Sequence, residues 1–128
     1  MGEVRRIAVC GPVAPQVSWG RYAELARWST WAPQISGVEA DAERLRPGLT
    51  GRVLTSVGLK VPFVVTEVDA AAMTWSWIVG VGPIRHTLHH GLAPRRTGTR
   101  ATLAIEGSAP LVTAYAPLAW WALRNLVH

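Results

Sequence analysis

Between Ile35 and Gly107 the chain alternates apolar and polar residues in short runs broken by turn-forming residues, whereas residues 109–127 repeat their apolar positions every three and four residues. Side chains return to one face every 3.6 residues in a helix and every second residue in a strand, so the first region reads as strands and the second as an amphipathic helix. In the helical stretch Leu111, Tyr115, Leu118, Ala122 and Leu126 fall on one stripe. Pro110 suits the first turn, where its missing N–H would have no partner in any case. Pro117 removes one backbone bond and crowds the carbonyl of Thr113, so a kink or a break into a short and a long helix is expected there. A helix this apolar needs a partner face, and the sheet is the natural one.

Upstream, Glu3 to Cys10 reads as a first strand closed by Gly11-Pro12, and the segment from Ala14-Pro15 to Pro33 fits one or two short helices. Strands follow at Ile35 to Ala42, Thr50 to Val57, Leu59 to Asp69, Met73 to Val81, Ile84 to Leu92 and Thr97 to Gly107. The links between the later strands are too short for a parallel crossover, so they form an antiparallel meander. Alternation sets the phase. Met73, Trp75, Trp77 and Val79 share the inward face opposite Thr74 and Ser76; Ile84, His86, Leu88, His90 and Leu92 point inward, with Arg85, Thr87 and His89 outside; Ala101, Leu103 and Ile105 point inward. In the long middle strand Val61, Phe63, Val65 and Glu67 are read as the inner face, against the competing phase of Val64 and Val68.

The length of 128 residues suits a single domain, 1–128, with one core, and an apolar fraction of 49% with 16% charged residues argues against disorder. The net charge of +5 comes almost wholly from arginine, Lys60 being the only lysine, yet the arginines are scattered. Arg5-Arg6 and Arg95-Arg96 are too short to make a nucleic-acid patch. Cys10 is the sole cysteine, so no internal disulfide is expected and a cytoplasmic location is the default. Ile7 to Cys10 is too short for the core of a signal peptide. Met1-Gly2 is followed by Arg6 where a myristoylation motif wants Ser or Thr. No apolar run reaches the roughly 18 residues of a membrane span, although transient membrane contact stays open.

A set of short motifs carries a resemblance that runs along nearly the whole chain. They are Ala14-Pro15-Gln16-Val17-Ser18-Trp19, Arg27-Trp28-Ser29-Thr30-Trp31-Ala32-Pro33, Leu45-Arg46-Pro47-Gly48-Leu49-Thr50-Gly51-Arg52-Val53, Val65-Thr66-Glu67-Val68-Asp69, Thr74-Trp75-Ser76-Trp77 and Thr97-Gly98-Thr99-Arg100-Ala101-Thr102. In order and spacing they resemble the START-like (SRPBCC, Bet v 1-like) superfamily, in particular its polyketide cyclase/dehydratase-like branch. The resemblance implies an α+β helix-grip fold: a curved antiparallel sheet of about seven strands wrapped around a long C-terminal helix, with two short helices between strands 1 and 2. It implies a mostly apolar cavity between sheet and helix that takes lipids, polyketides or other natural products. Relatives of this kind are cyclases, aromatases or plain carriers, and they share no catalytic motif.

On that fold Trp28, Trp31, Trp75, Trp77 and Trp120 fall at the pocket or its rim, and tryptophan suits a flat aromatic ligand. With the inward strand positions and the helix stripe, the expected ligand-binding residues are Trp28, Trp31, Phe63, Trp75, Trp77, His86, Leu88, Leu103 and Leu118. If the protein is an enzyme, it would be a cofactor-independent cyclase or dehydratase, with His90, Tyr115 and Glu67 holding a poly-carbonyl substrate and moving its protons. His86 and His90 stand four residues apart on a strand, too far to share one ion, and His89 faces away, so no metal and no cofactor are expected. No Ser/His/Asp arrangement with a recognisable context, P-loop or GxGxxG motif is present. The expected partner is a hydrophobic small molecule bound by a monomer or homodimer. The alternatives are a non-catalytic carrier and an interaction protein that uses its basic surface.

Overall fold

The computed structural model describes residues 3–128; Met1-Gly2 and the side chains of Glu3, Ala109 and Leu111 lie outside the described set. The described residues place β1 at Glu3–Gly11, α1 at Pro15–Ala23, a 3-10 turn at Leu25–Arg27 and α2 at Trp28–Trp31. Then come β2 (Ile35–Ala40), β3 (Thr50–Thr55), β4 (Lys60–Asp69), β5 (Thr74–Val81), β6 (Ile84–Arg95), β7 (Gly98–Gly107) and α3 (Ala109–Val127). The strands form one antiparallel sheet in the order β1-β7-β6-β5-β4-β3-β2, a meander from β2 to β7 with β1 added beside β7. The chain therefore crosses from one edge of the sheet to the other between β1 and β2, and α1 and α2 are that crossing.

β6 runs three residues further than alternation suggests, with Pro94 paired to Thr99 and Arg95 to Gly98. Pro94 is tolerated because β5 already ends opposite Gly91, so that side of β6 needs no ladder bond there. Gly98 closes the turn at φ +126 against the Gly11 carbonyl, a place where no side chain fits.

Phase was legible for β5, β6 and β7: Trp75, Trp77, Leu88, Leu92, Ala101, Leu103 and Ile105 are all buried. It fails halfway along β4. Val65 pairs with Trp77, but the next partner pair is Glu67 with Ser76, so Thr66 is an extra residue in a β-bulge. A bulge shifts the alternation by one. Beyond it Val68 packs on the core and Glu67 is exposed on the outer face, so the inward placement of Glu67 is corrected.

α3 is one uninterrupted helix of 19 residues through Pro117, without the expected break. It packs on β1 and β7, with further contact to α1 and α2. Its buried face is Val112, Ala116, Ala119, Ala122, Leu123, Leu126 and Val127. That face includes Ala122 and Leu126 of the expected stripe, with Tyr115 half-buried beside it, but Leu118 is 39% exposed and does not face the sheet. Trp120 and Trp121 are also half exposed. The last turn is held from α1: Arg21 donates to the carbonyls of Asn125 and Leu126 at 3.1 and 2.7 Å, and the Ser18 hydroxyl donates to Leu126 at 3.0 Å. A helix end leaves its last carbonyls without partners, and a guanidinium there also complements the helix dipole. Gly11 makes the close approach possible, since a Cβ at that position would collide with the backbone of Val127.

Candidate functional site

The concave side of the sheet divides into a filled half and an open half. The filled half is aromatic. Trp28 stacks on Trp75 at 5.6 Å and meets Trp77 edge-on at 5.1 Å, and Phe63 packs on Trp77 at 5.3 Å. Tyr22 closes the group against Trp31, Trp75 and His90. Trp28 and Trp31 are oriented by α1, their indole N–H groups donating to the carbonyls of Tyr22 at 2.8 Å and Arg21 at 3.0 Å. Trp28, Trp75 and Phe63, expected to line a ligand, thus fill the space with protein instead.

The open half is a cavity of about 390 Å³ towards the β3–β4 and β5–β6 ends of the sheet. Ile35, Val53, Val61, Val79 and Leu88 wall it, and Trp77 and Ile105 separate it from the aromatic half. Val81 and Ile84 both line it and are more than half exposed, which puts its mouth at the β5–β6 turn. A volume in the range of 300–1,000 Å³ with mostly apolar lining is that of a small-molecule site. A smaller void of about 20 Å³ lies deeper, lined in part by Trp31, His90, Leu103 and Leu123 together with Gln34 and Tyr115 of the main cavity.

Few polar groups reach the cavity. Gln34 Nε2 donates to the Tyr115 hydroxyl at 2.8 Å, bridging α3 to the start of β2. Burial raises the Tyr115 pKa, with the Gln34 bond acting in the opposite direction, so the phenol stays protonated and its own O–H can still donate. Gln34 Oε1 and His86 Nε2 are buried with no partner among the described residues. His86 lies with its ring against Gly107.

His90 stacks on Trp75 at 4.1 Å, 7° from parallel, and on the cavity side of the sheet it lines the small inner void but not the main cavity. Burial, reinforced by the charge of neighbouring His89, lowers its pKa to about 3 despite a hydrogen bond with the Trp75 backbone. It is neutral at physiological pH and poorly matched to proton transfer there. The fold therefore does not assemble the acid–base trio: Tyr115 faces the cavity, His90 is packed among aromatics, and Glu67 is on the other side of the sheet. Of the expected ligand-binding residues, Trp77, His86 and Leu88 line the main cavity, and Trp31 and Leu103 line the inner void. Leu118 lies outside both, because the helix is rotated away from the expected stripe.

Sequence reasoning missed Gln34, Ile35, Val53 and Thr55 as cavity residues. Gly37 and Gly51 blur the alternation of β2 and β3. The usable signal was Ile35 and Val53 as the strongly apolar positions flanking those glycines.

No protein-family model and no curated protein matches the chain. Solved structures do. The crystal structure of Ara h 8.0201 superposes with a TM-score of 0.74 at 12% identity, covering 98% of this chain and 96% of that one. That of protein NE0264 from Nitrosomonas europaea gives a TM-score of 0.73 at 21% identity, covering 96% and 90%. Among the described residues no helix is long and apolar enough to cross a membrane. With its seven-stranded sheet, two short helices after β1 and C-terminal helix, the chain has the Bet v 1-like helix-grip fold.

Proposed function

We propose that the chain is a binding domain for a hydrophobic, ring-containing small molecule, which it carries without transforming. The observation that supports this most is the open half of the concave face: an apolar cavity of about 390 Å³ that the protein's own aromatic side chains leave unfilled. The Bet v 1-like fold is known for hydrophobic ligand binding. The lining sets the ligand's character. Its rings would lie against Trp77 and the aliphatic walls, and one hydroxyl or carbonyl end would meet the Tyr115 O–H and the Gln34 amide. The cyclase or dehydratase reading loses two of its three expected acid–base groups, since His90 and Glu67 do not line the main cavity, which is why carriage is preferred. The scattered arginines and the exposed, unpaired Cys10 fit a cytoplasmic protein without a nucleic-acid partner.

The test is to identify by mass spectrometry whatever small molecule co-purifies and is released on denaturation, then to add it back. A ligand that binds only the folded state stabilises it by RT ln(1 + [L]/Kd), about 2.7 kcal/mol at a hundredfold excess over Kd. The melting temperature should rise by several degrees. Tyr115→Phe should weaken binding two- to tenfold, the effect of one lost hydrogen bond at about 0.5–1.5 kcal/mol. Chemical conversion of the ligand by the wild type, lost in Tyr115→Phe, would instead make the protein an enzyme.

A further inference from the structure

On the outer face of the sheet, away from the cavity, three strands bring Ser76, His89 and Glu106 into one hydrogen-bonded chain. Ser76 of β5 and His89 of β6 are cross-strand partners. Glu106 stands two residues beyond Ala104, the β7 partner of His89, on the same face. Ser76 Oγ lies 2.8 Å from His89 Nδ1, and His89 Nε2 lies 2.6 Å from Glu106 Oε2. A carboxylate at Nε2 favours the tautomer with its proton there, which leaves Nδ1 to accept from the Ser76 hydroxyl. Nucleophile, base and orienting carboxylate are thus in line, each within hydrogen-bond reach of the next.

The surroundings leave room for a substrate. Ser76 and His89 border a basin of about 560 Å³ where small residues such as Ala8, Gly91 and Ala104 keep the surface low. Arg6, Arg100 and Glu67 also line it, Glu67 as the cross-strand partner of Ser76, and neither arginine pairs with a carboxylate among the described residues. Ser76 is only 6% exposed, so its hydroxyl is partly shielded from water. The bulge at Thr66 interrupts the ladder directly beside Ser76, and the extra residue of a bulge falls out of regular pairing.

We propose that Ser76, His89 and Glu106 form an acyl-transfer site for short-chain carboxylic esters that carry a negative charge. Ser76 Oγ attacks the ester carbonyl while its proton passes to His89 Nδ1, and Glu106 holds the resulting imidazolium through Nε2–H. The C–O bond to the alcohol breaks, and the leaving oxygen takes the proton from Nδ1. Water then attacks the acyl-serine, its proton going to Nδ1 and on to Ser76 as the acid is released. The net change is ester plus water to acid plus alcohol. Arg6 and Arg100 hold the charged end of the substrate. This site is independent of cavity binding, since it lies on the other face of the sheet.

The test uses a fluorophosphonate probe and mono-4-nitrophenyl succinate on the full chain. The wild type should be labelled at Ser76, found by peptide mass spectrometry, and should release nitrophenolate in a burst approaching one equivalent per chain. Ser76→Ala should show neither. Glu106→Gln, a change at a half-exposed side chain that leaves the core untouched, should slow both by about tenfold or more, within the range for a disturbed general base. Arg6→Gln should raise KM for the succinate ester several-fold. Absence of label on Ser76, equal ester hydrolysis by wild type and Ser76→Ala, or labelling indifferent to Glu106→Gln would overturn the site. An unchanged KM in Arg6→Gln would overturn the anionic substrate class.

Discussion

Leu123→Asp should leave the protein unfolded or aggregated at 37 °C, whereas Leu118→Asp should melt within about 5 °C of the wild type. Both residues are leucines in the same helix, and the difference lies in what they face. Leu123 is 2% exposed, within the face that α3 packs on β1 and β7. A carboxylate there loses the apolar contacts and sits desolvated without a partner, at a cost of about 4 kcal/mol or more, comparable to the whole stability of a marginal domain. Leu118 is 39% exposed on the outer side, where Asp stays hydrated and costs little beyond its helix propensity of roughly 0.7 kcal/mol. Thermal unfolding followed by circular dichroism separates the two, and equal melting of both variants would contradict the packing of α3.

Acid should destabilise the fold through His90. Its folded pKa, lowered to about 3 by burial, lies well below the ordinary value of 6.5 that the unfolded chain restores. Above pH 6.5 both states hold the ring neutral and the group has no effect. Below it the unfolded chain takes up a proton that the folded one refuses, so stability falls with pH until the folded pKa is reached. Each pKa unit is worth about 1.4 kcal/mol, so roughly 2–3 kcal/mol should go between pH 6 and pH 4. His90→Phe keeps a ring on Trp75 and cannot take the proton. Its melting temperature should therefore fall less steeply over that interval, and parallel pH profiles for variant and wild type would refute the assignment.

The order of elements and the facing of β5, β6 and β7 could be read from the chain because strands with one buried face repeat every second residue. Four things could not. The bulge at Thr66 carries no glycine or proline to mark it, and it alone moved Glu67 from the inner face to the outer. α3 is apolar nearly all round, with Leu118, Trp120 and Trp121 outside, so its stripe could be drawn in two registers one residue apart. One residue is about 100° of rotation, enough to turn Leu118 away from the sheet. The count of seven tryptophans suggested a ligand-lined pocket, but Trp28 and Trp75 are spent on packing against each other. Composition does not distinguish an aromatic that waits for a ligand from one that fills the core. Ser76, His89 and Glu106 are far apart in sequence and meet only through strand register.

Binding of an apolar molecule in the space beside Trp77 is tested most directly by narrowing that space. Val79 walls the cavity without belonging to the aromatic cluster, so Val79→Trp should reduce the volume while leaving the core packing in place. Titration of a naphthalene-based fluorescent ligand should give saturable, one-to-one binding with quenching of intrinsic fluorescence in the wild type. Affinity in Val79→Trp should be at least about tenfold weaker, the equivalent of about 1.4 kcal/mol, at an unchanged melting temperature. Equal affinity in the two proteins, or no saturable binding in the wild type, would contradict the account.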